Sequence, residues 1–244
     1  MASWYAVVEA RHDIQNPTSP EKIRLLGERL QLDATSRVLD IASGRGGPAL
    51  LLAQAYGCHV TCVERLAEFV EGARRRVAEA GLHDRIEIVH TDARAFPIED
   101  GRYDVAMCLG ASFVWDGLEN TLAALTPAVR SRGFVVVGEP YWKTWPLPQG
   151  FQPGQGEDFT TLEQTAQRFE SSGLELVAVI TASDDDWDRY ESPHWLALDE
   201  WLAAHPEAPE AEEFRERGRQ AKERYLRWER DLIGWAIFTG RRPT

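Results

Sequence analysis

Residues 37–50, RVLDIASGRGGPAL, decide the fold. A β-rich apolar run ends in Asp40, a glycine-rich turn follows over 43–47, and a helix-forming stretch opens at Pro48, a residue suited to a first helical turn. Strand, tight turn and helix in that order begin a βαβ unit. Gly44 and Gly46 let the backbone turn sharply and approach a ligand without Cβ interference. Free N–H groups at the helix start favour a negatively charged group, so a turn of this kind suits a nucleotide or its analogue.

Downstream, the alternation continues. Residues 58–63 read as a strand, and the next helix carries Phe69, Val70, Ala73 and Val77 and stops at Gly81. Three more strands are expected at 85–90, 103–109 and 133–138, with helical connections before and after Thr126-Pro127. Thr160 can cap a helix to Ser172, a strand follows at 174–181, and the last apolar run is 232–239. Repeated strand, helix, strand means parallel pairing, hence an α/β fold of Rossmann-like type with helices on both faces of the sheet. Upstream, Thr18-Ser19-Pro20 with Ile23, Leu26 and Leu30 predicts a helix over 20–31.

The whole of 1–244 reads as a single domain: an N-terminal helical cap at 1–36, a nucleotide-binding core at 37–182, a helical lid insertion at 183–231 and a final strand at 232–244. The insertion mixes charges with Trp187, Tyr190, Trp195, Trp201, Tyr225 and Trp228, and helices are expected at 197–204 and 210–230. The Pro- and Gly-rich stretch 146–156 is long enough to border a site as a loop.

Composition narrows the partners. With a net charge of -12 the chain repels phosphate backbones, which excludes nucleic acid as the expected substrate and favours a small molecule. Arg74-Arg75-Arg76 reads as a solvated helix face. No stretch approaches the roughly 20 apolar residues that span a bilayer, and the opening MASWYAVVEARHD has no apolar leader, so no membrane partner is expected and the location is cytoplasmic. Cys58, Cys62 and Cys108 lie in apolar runs without zinc-ligand spacing or a nearby histidine cluster; they read as core residues of a reducing compartment, and no metal is expected. Nothing in the sequence speaks to oligomeric state.

Two more acids share the pattern of Asp40. Glu64 ends the second strand, 20 residues past Gly44, where its carboxylate can accept from ribose hydroxyls; Asp92 ends the third, where it can accept from an adenine amino group while Ala93 offers a backbone N–H. Gly44-x-Gly46-x-x-Ala49 also fits the dinucleotide fingerprint, which keeps a nicotinamide-dependent oxidoreductase open as the alternative. Asp40, an acid inside the loop, suits instead the ammonium or sulfonium side of a cationic ligand.

VLDIASGRGGPAL, VTCVERL, IEIVHTDARAF, YDVAMCLGASF and GFVVVGEPYW resemble successive motifs of the class I S-adenosylmethionine-dependent methyltransferases, over about residues 37–142. The resemblance implies seven strands with the last antiparallel, and a cofactor, S-adenosylmethionine, that leaves as S-adenosylhomocysteine. It also implies a cofactor site: Asp40, Ala42, Ser43, Gly44 and Gly46 around the methionine moiety, Glu64 and Arg65 at the ribose, Asp92 and Ala93 at adenine, Leu109 and Gly110 at the methionine end. Ala42 stands where that family often has glycine, which the turn tolerates if its backbone stays in the β region. RHDIQNP (11–17), GEPYW (138–142) and DDDWDRYE (184–191) are similar to small bacterial methyltransferases of no known substrate. A third reading keeps the S-adenosylmethionine pocket but no chemistry.

Ligands of parallel sheets bind beyond the strands' carboxyl ends, so Ser112, Phe113, Trp115, Glu139, Tyr141 and Trp142 are expected around the acceptor, with Trp187 and Tyr190 closing from the lid. If the acceptor must lose a proton, Glu139 or His12 is the candidate base.

Overall fold

The computed structural model describes residues 2–154 and 156–244. Seven strands, β1 (Arg37–Ile41), β2 (His59–Glu64), β3 (Ile86–His90), β4 (Tyr103–Leu109), β5 (Val129–Trp142), β6 (Glu175–Thr181) and β7 (Ile233–Arg241), form one sheet in the order β3-β2-β1-β4-β5-β7-β6. Strand β7 runs antiparallel to β5 and β6, and the other pairs are parallel. After β3 the chain returns past β1 to add β4, so the connections leaving β1 and β4 diverge and open a crevice at their carboxyl ends.

Helices α1 (Trp4–Val8), α2 (Pro20–Arg29), α3 (Gly47–Tyr56), α4 (Ala67–Glu79), α5 (Leu118–Leu125), α6 (Leu162–Ser171), α7 (Asp184–Ala204) and α8 (Ala211–Arg224) surround the sheet. Side-chain alternation along each strand divides the core. Val38, Val60, Val105 and Val136 face α2 and α3, whereas Leu39, Ile41, Val135 and Val137 face α5 and α6. Ser19 caps α2 by accepting from Lys22 N at 3.3 Å, Pro20 presets its first turn, and Ile23 and Leu26 are wholly buried against the sheet. Leu26→Ala would cost about 2–5 kcal/mol.

The N-terminal 1–36 therefore divides. Its helix α2 belongs to the sheet layer, while Val7 and Val8 of α1 pack with Leu198 of α7 and Phe214 of α8. Helix α7 begins 13 residues before the expected 197. Ser183 and Asp186 form a capping box at its start, and Pro193 lies inside it without ending it, which is why the continuity was hidden. The expected helix over 210–230 breaks instead: α8 ends at Arg224, and a π-turn over Tyr225–Glu229 leads to Arg230–Leu232. Helix α6 is capped by Thr161, which forms a capping box with Gln164, and not by Thr160.

No helix follows Pro127. The chain enters β5 directly at Val129 and kinks at Arg132, whose φ is 62°. Among the described residues no helix is long and apolar enough to cross a membrane, and the three cysteines are free and buried.

Candidate active site

A cleft of about 590 Å³ opens at the carboxyl ends of β1, β2 and β4. Its floor is residues 42–44 of the turn, in which Ala42, Gly44 and Gly46 all have left-handed backbones, with φ of 53°, 56° and 74°. Ala42 is thus not in the β region, as its tolerance in the sequence required; the turn forces it left-handed at a cost of about 1–2 kcal/mol. Gly46 does not line the cleft. It precedes the first turn of α3, and a Cβ there would lie 3.4 Å from that of Ala73, so its part is to shape the turn.

Glu64 is buried and ties β2 to this turn. Its Oε2 accepts from Gly44 N at 3.0 Å, and its Oε1 accepts from Arg65 N at 2.8 Å and Leu66 N at 2.7 Å. Beside it, Asp40 Oδ2 and Ser43 Oγ are buried without partners, and burial together with the Glu64 charge pushes the Asp40 carboxyl up to about 8. An unpaired buried acid on a cleft wall is costly until a donor or a cation reaches it. Asp92 caps the short turn Ala93–Ala95 through Oδ1, which accepts from Arg94 N at 2.8 Å, and lines the cleft. Arg65, Ala93, Leu109 and Gly110 also line the cleft. Gly110 has φ 95°, and a Cβ on it would meet the Trp235 ring at 2.8 Å.

One wall was not expected. Tyr5, Glu9, Asp13, Gln15 and Asn16 line the cleft from the segment before α2. Arg45 N donates to Gln15 Oε1 at 2.8 Å, and Arg45 Nη1 donates to the carbonyls of Glu9 and Ala10 at 3.1 and 2.9 Å. Arg76, expected to be solvated, instead donates to Arg45 O at 3.0 Å and pairs with Asp13 at 3.0 Å. Gly47 makes the fit possible, since a Cβ there would fall 1.8 Å from Asp13 O. The signal available was RHDIQNP itself, a polar run just ahead of a helix cap.

A second chamber of about 260 Å³ adjoins the first, and Gln15, Asn16, Gly110 and Tyr190 line both. Its other walls include Phe159, Trp187, Trp235, Glu157 and Glu229, and the buried indole N–H of Trp187 has no partner. Glu157 and Glu229 share the single guanidinium of Arg224.

Of the acceptor residues expected from sequence, Trp187 and Tyr190 line this chamber and Phe113 lines the cleft; Ser112, Trp115, Glu139, Tyr141 and Trp142 line neither cavity. Glu139 and Tyr141 point to the α5–α6 face with Val135 and Val137, and it is Pro140 between them that reaches the chamber. Burial pushes the Glu139 carboxyl up to about 7 against a hydrogen bond from Ser112. Trp142 lies beneath the lid with its ring 5.7 Å from Phe151 and 5.1 Å from Phe159. Trp115 packs into the core from the turn Ser112–Trp115, and Phe113 and Val114 face the cleft in its place.

His12 also lies off the cleft, behind Glu9 and Tyr190: its Nε2 donates to Tyr190 O at 2.8 Å and its Nδ1 lies 3.3 Å from Glu9 Oε2. Neither candidate base therefore reaches a substrate directly. On α7, His194 Nε2 is 3.1 Å from Glu9 Oε1, and Tyr190 donates to the same oxygen at 3.1 Å. Burial lowers the His12 imidazole from its usual range; at His194 burial is outweighed by Glu191 and Glu9, which raise it to about 9.

The cleft suits an adenosine carrying a cationic tail: carboxylates end three adjacent strands, a turn brings backbone close, and one acid waits unpaired. Comparison with known proteins agrees. Residues 38–133 match the family model described as a methyltransferase domain. The chain is 31% identical to the uncharacterized protein YjhP of Escherichia coli over 96% of both chains. A methyltransferase of Thiobacillus denitrificans, solved with S-adenosyl-L-homocysteine, superposes with a TM-score of 0.92 at 33% identity over 98% of each chain. One from Geobacter sulfurreducens, with the same ligand, gives 0.92 at 32% identity over 100% of this chain and 99% of the other.

Proposed function

The chain belongs to the class I S-adenosylmethionine-dependent methyltransferases, with S-adenosylmethionine as its cofactor, and from that premise we propose that it methylates a small molecule held in the 260 Å³ chamber beside the cofactor cleft. The observation that carries this reading is the junction: Gln15, Asn16, Gly110 and Tyr190 belong to both cavities, so the two ligands would meet there. Family membership displaces the nicotinamide alternative and the reading without chemistry.

In this proposal Glu64 holds the ribose, with Arg65 beside it; Asp92 and Ala93 hold adenine; Gly44, Ser43 and Asp40 border the cationic amino-acid tail; and Leu109 with Gly110 borders the methionine end. The cofactor supplies, when bound, a methyl group on a sulfonium that an acceptor takes by in-line displacement. The protein's share is alignment and exclusion of water. Trp187, Tyr190, Phe159 and Trp235 provide apolar walls that orient a flat or cationic acceptor, and the two carboxylates on one guanidinium leave the wall with a negative excess. Glu139 and His12 serve as surroundings to the site and not as a direct base. A charge of -12 supports a small acceptor over nucleic acid, and buried free cysteines support a cytoplasmic location.

The test is a panel of small amines, alcohols and thiols with methyl-labelled cofactor. Label should pass to a small molecule, and Trp187→Ala should raise the acceptor KM about tenfold, the loss of one aromatic wall, while S-adenosylhomocysteine affinity stays within about twofold. Transfer only to protein or nucleic acid would overturn the reading.

A further inference from the structure

The buried cluster behind Tyr190 has an arrangement that hydrogen bonding leaves unfinished. His12 Nε2 lies 2.8 Å from the Tyr190 carbonyl, which can only accept, so that nitrogen carries a hydrogen, and in the neutral imidazole the lone pair sits on Nδ1. Nδ1 then faces Glu9 Oε2 at 3.3 Å, and both atoms are buried with no hydrogen-bond partner. With a neutral imidazole, two acceptors point at each other with no donor between them, and a proton or a metal ion would complete the contact. The third group, His194, presents Nε2 3.1 Å from the other oxygen of Glu9, while its Nδ1 is 3.7 Å from Glu191. One ligand atom from each of Glu9, His12 and His194 lies within 4.8 Å of the others.

We propose that Glu9, His12 and His194 form a binding site for a divalent transition-metal ion of the zinc class. The groups are gathered closely enough to close on one ion: Glu9 meets His12 Nδ1 at 3.3 Å through one carboxylate oxygen and His194 Nε2 at 3.1 Å through the other, and a contraction from within 4.8 Å to the roughly 3.3 Å between ligands of a tetrahedral ion needs only side-chain adjustment. The second nitrogen of His12 donates to a backbone carbonyl, which is how metal-ligating histidines are oriented, and that of His194 faces the Glu191 carboxylate at 3.7 Å. Two imidazoles and one carboxylate favour zinc, cobalt or nickel over magnesium or calcium. Glu9 and Tyr190 line the cleft, so the site borders the cofactor cavity while fastening the N-terminal segment to the lid.

The experiment titrates chelator-treated full-length protein with Zn2+ by calorimetry and with Co2+ by visible absorption. One site per chain tighter than about 10 µM is expected, with the intense bands of four-coordinate Co2+ and a Zn2+-dependent rise in Tm of about 5 °C. His12→Ala and His194→Ala, each checked for cooperative melting, should weaken Zn2+ at least about tenfold to a hundredfold. The inference falls if neither metal binds in that range, or if the double variant binds as the parent does through exposed histidines. Titration of the same preparation with S-adenosylhomocysteine separates this from the methyltransferase assignment: the two can fail independently.

Discussion

Asp40, Glu64 and Asp92 stand at the ends of three adjacent strands and reach the cleft because parallel strands align their carboxyl ends. Glu9 and Tyr190 line the opposite wall but meet from segments 181 residues apart, one ahead of the sheet and one in the insertion between β6 and β7. The first wall is repeated local pattern, each acid following its own apolar strand. The second is a tertiary contact between a short turn near the N-terminus and the long helix α7, with no local pattern that joins them. A strand-borne wall is rigid and cofactor-facing; a wall made by two segments distant in sequence, outside the sheet, can change without redrawing the core.

The largest effect that would sharpen this contrast is Glu64→Ala. It leaves the N–H groups of Gly44, Arg65 and Leu66 unpaired and removes the ribose acceptor, so S-adenosylhomocysteine affinity should fall about a hundredfold by calorimetry. A loss under about threefold would break the comparison. Next comes Gly47→Ala, whose Cβ would collide with Asp13 O and push the N-terminal segment off the turn. Affinity should drop about tenfold, and hydrogen exchange should rise over 9–16 while β1 and β4 stay protected.

Asp40→Asn has a smaller, pH-dependent effect. The folded carboxyl titrates near 8 and the unfolded one near 3.8, so ionisation opposes the fold, and the penalty grows as pH rises from about 4 and is complete above about 8. The ligand-free Asn variant should therefore melt about 5 °C above the parent at pH 8.5, with the gap closing toward pH 4. Equal gaps at both ends would mean that Asp40 is not buried in its charged form. The smallest effect is Ala42→Gly, which relieves the left-handed backbone but loosens the unfolded chain; urea unfolding should show a gain of about 0.5–1 kcal/mol.

The same contrast explains what could be read before the structure. The alternation of β-rich and helical stretches placed all seven strands to within a few residues, and the three acids could be positioned because each ends its own strand. Glu139 and Tyr141 follow the expected strand 133–138, but β5 runs on to Trp142, and its alternation turns both to the other face and leaves Pro140 facing the chamber. Helix α7 runs through Pro193, a residue that usually ends a helix, so the expected 197–204 covers only its last part and leaves His194 outside. Arg76 looked like part of a solvated run; its role as a tether depends on Asp13 and Arg45 O arriving from elsewhere. No spacing rule joins residue 9 to residue 194.

The insertion leaves the sheet after Thr181 and returns at Ile233, and its two ends are stitched together where Ala182 N donates to Trp235 O at 2.8 Å. Residues 183–231 are thus a cassette clipped onto the sheet at its base. A lineage, or an engineer, can exchange that one continuous stretch for another and alter which acceptor is admitted while the nucleotide-binding strands keep their register, with the α1 contact as the main seam to re-fit.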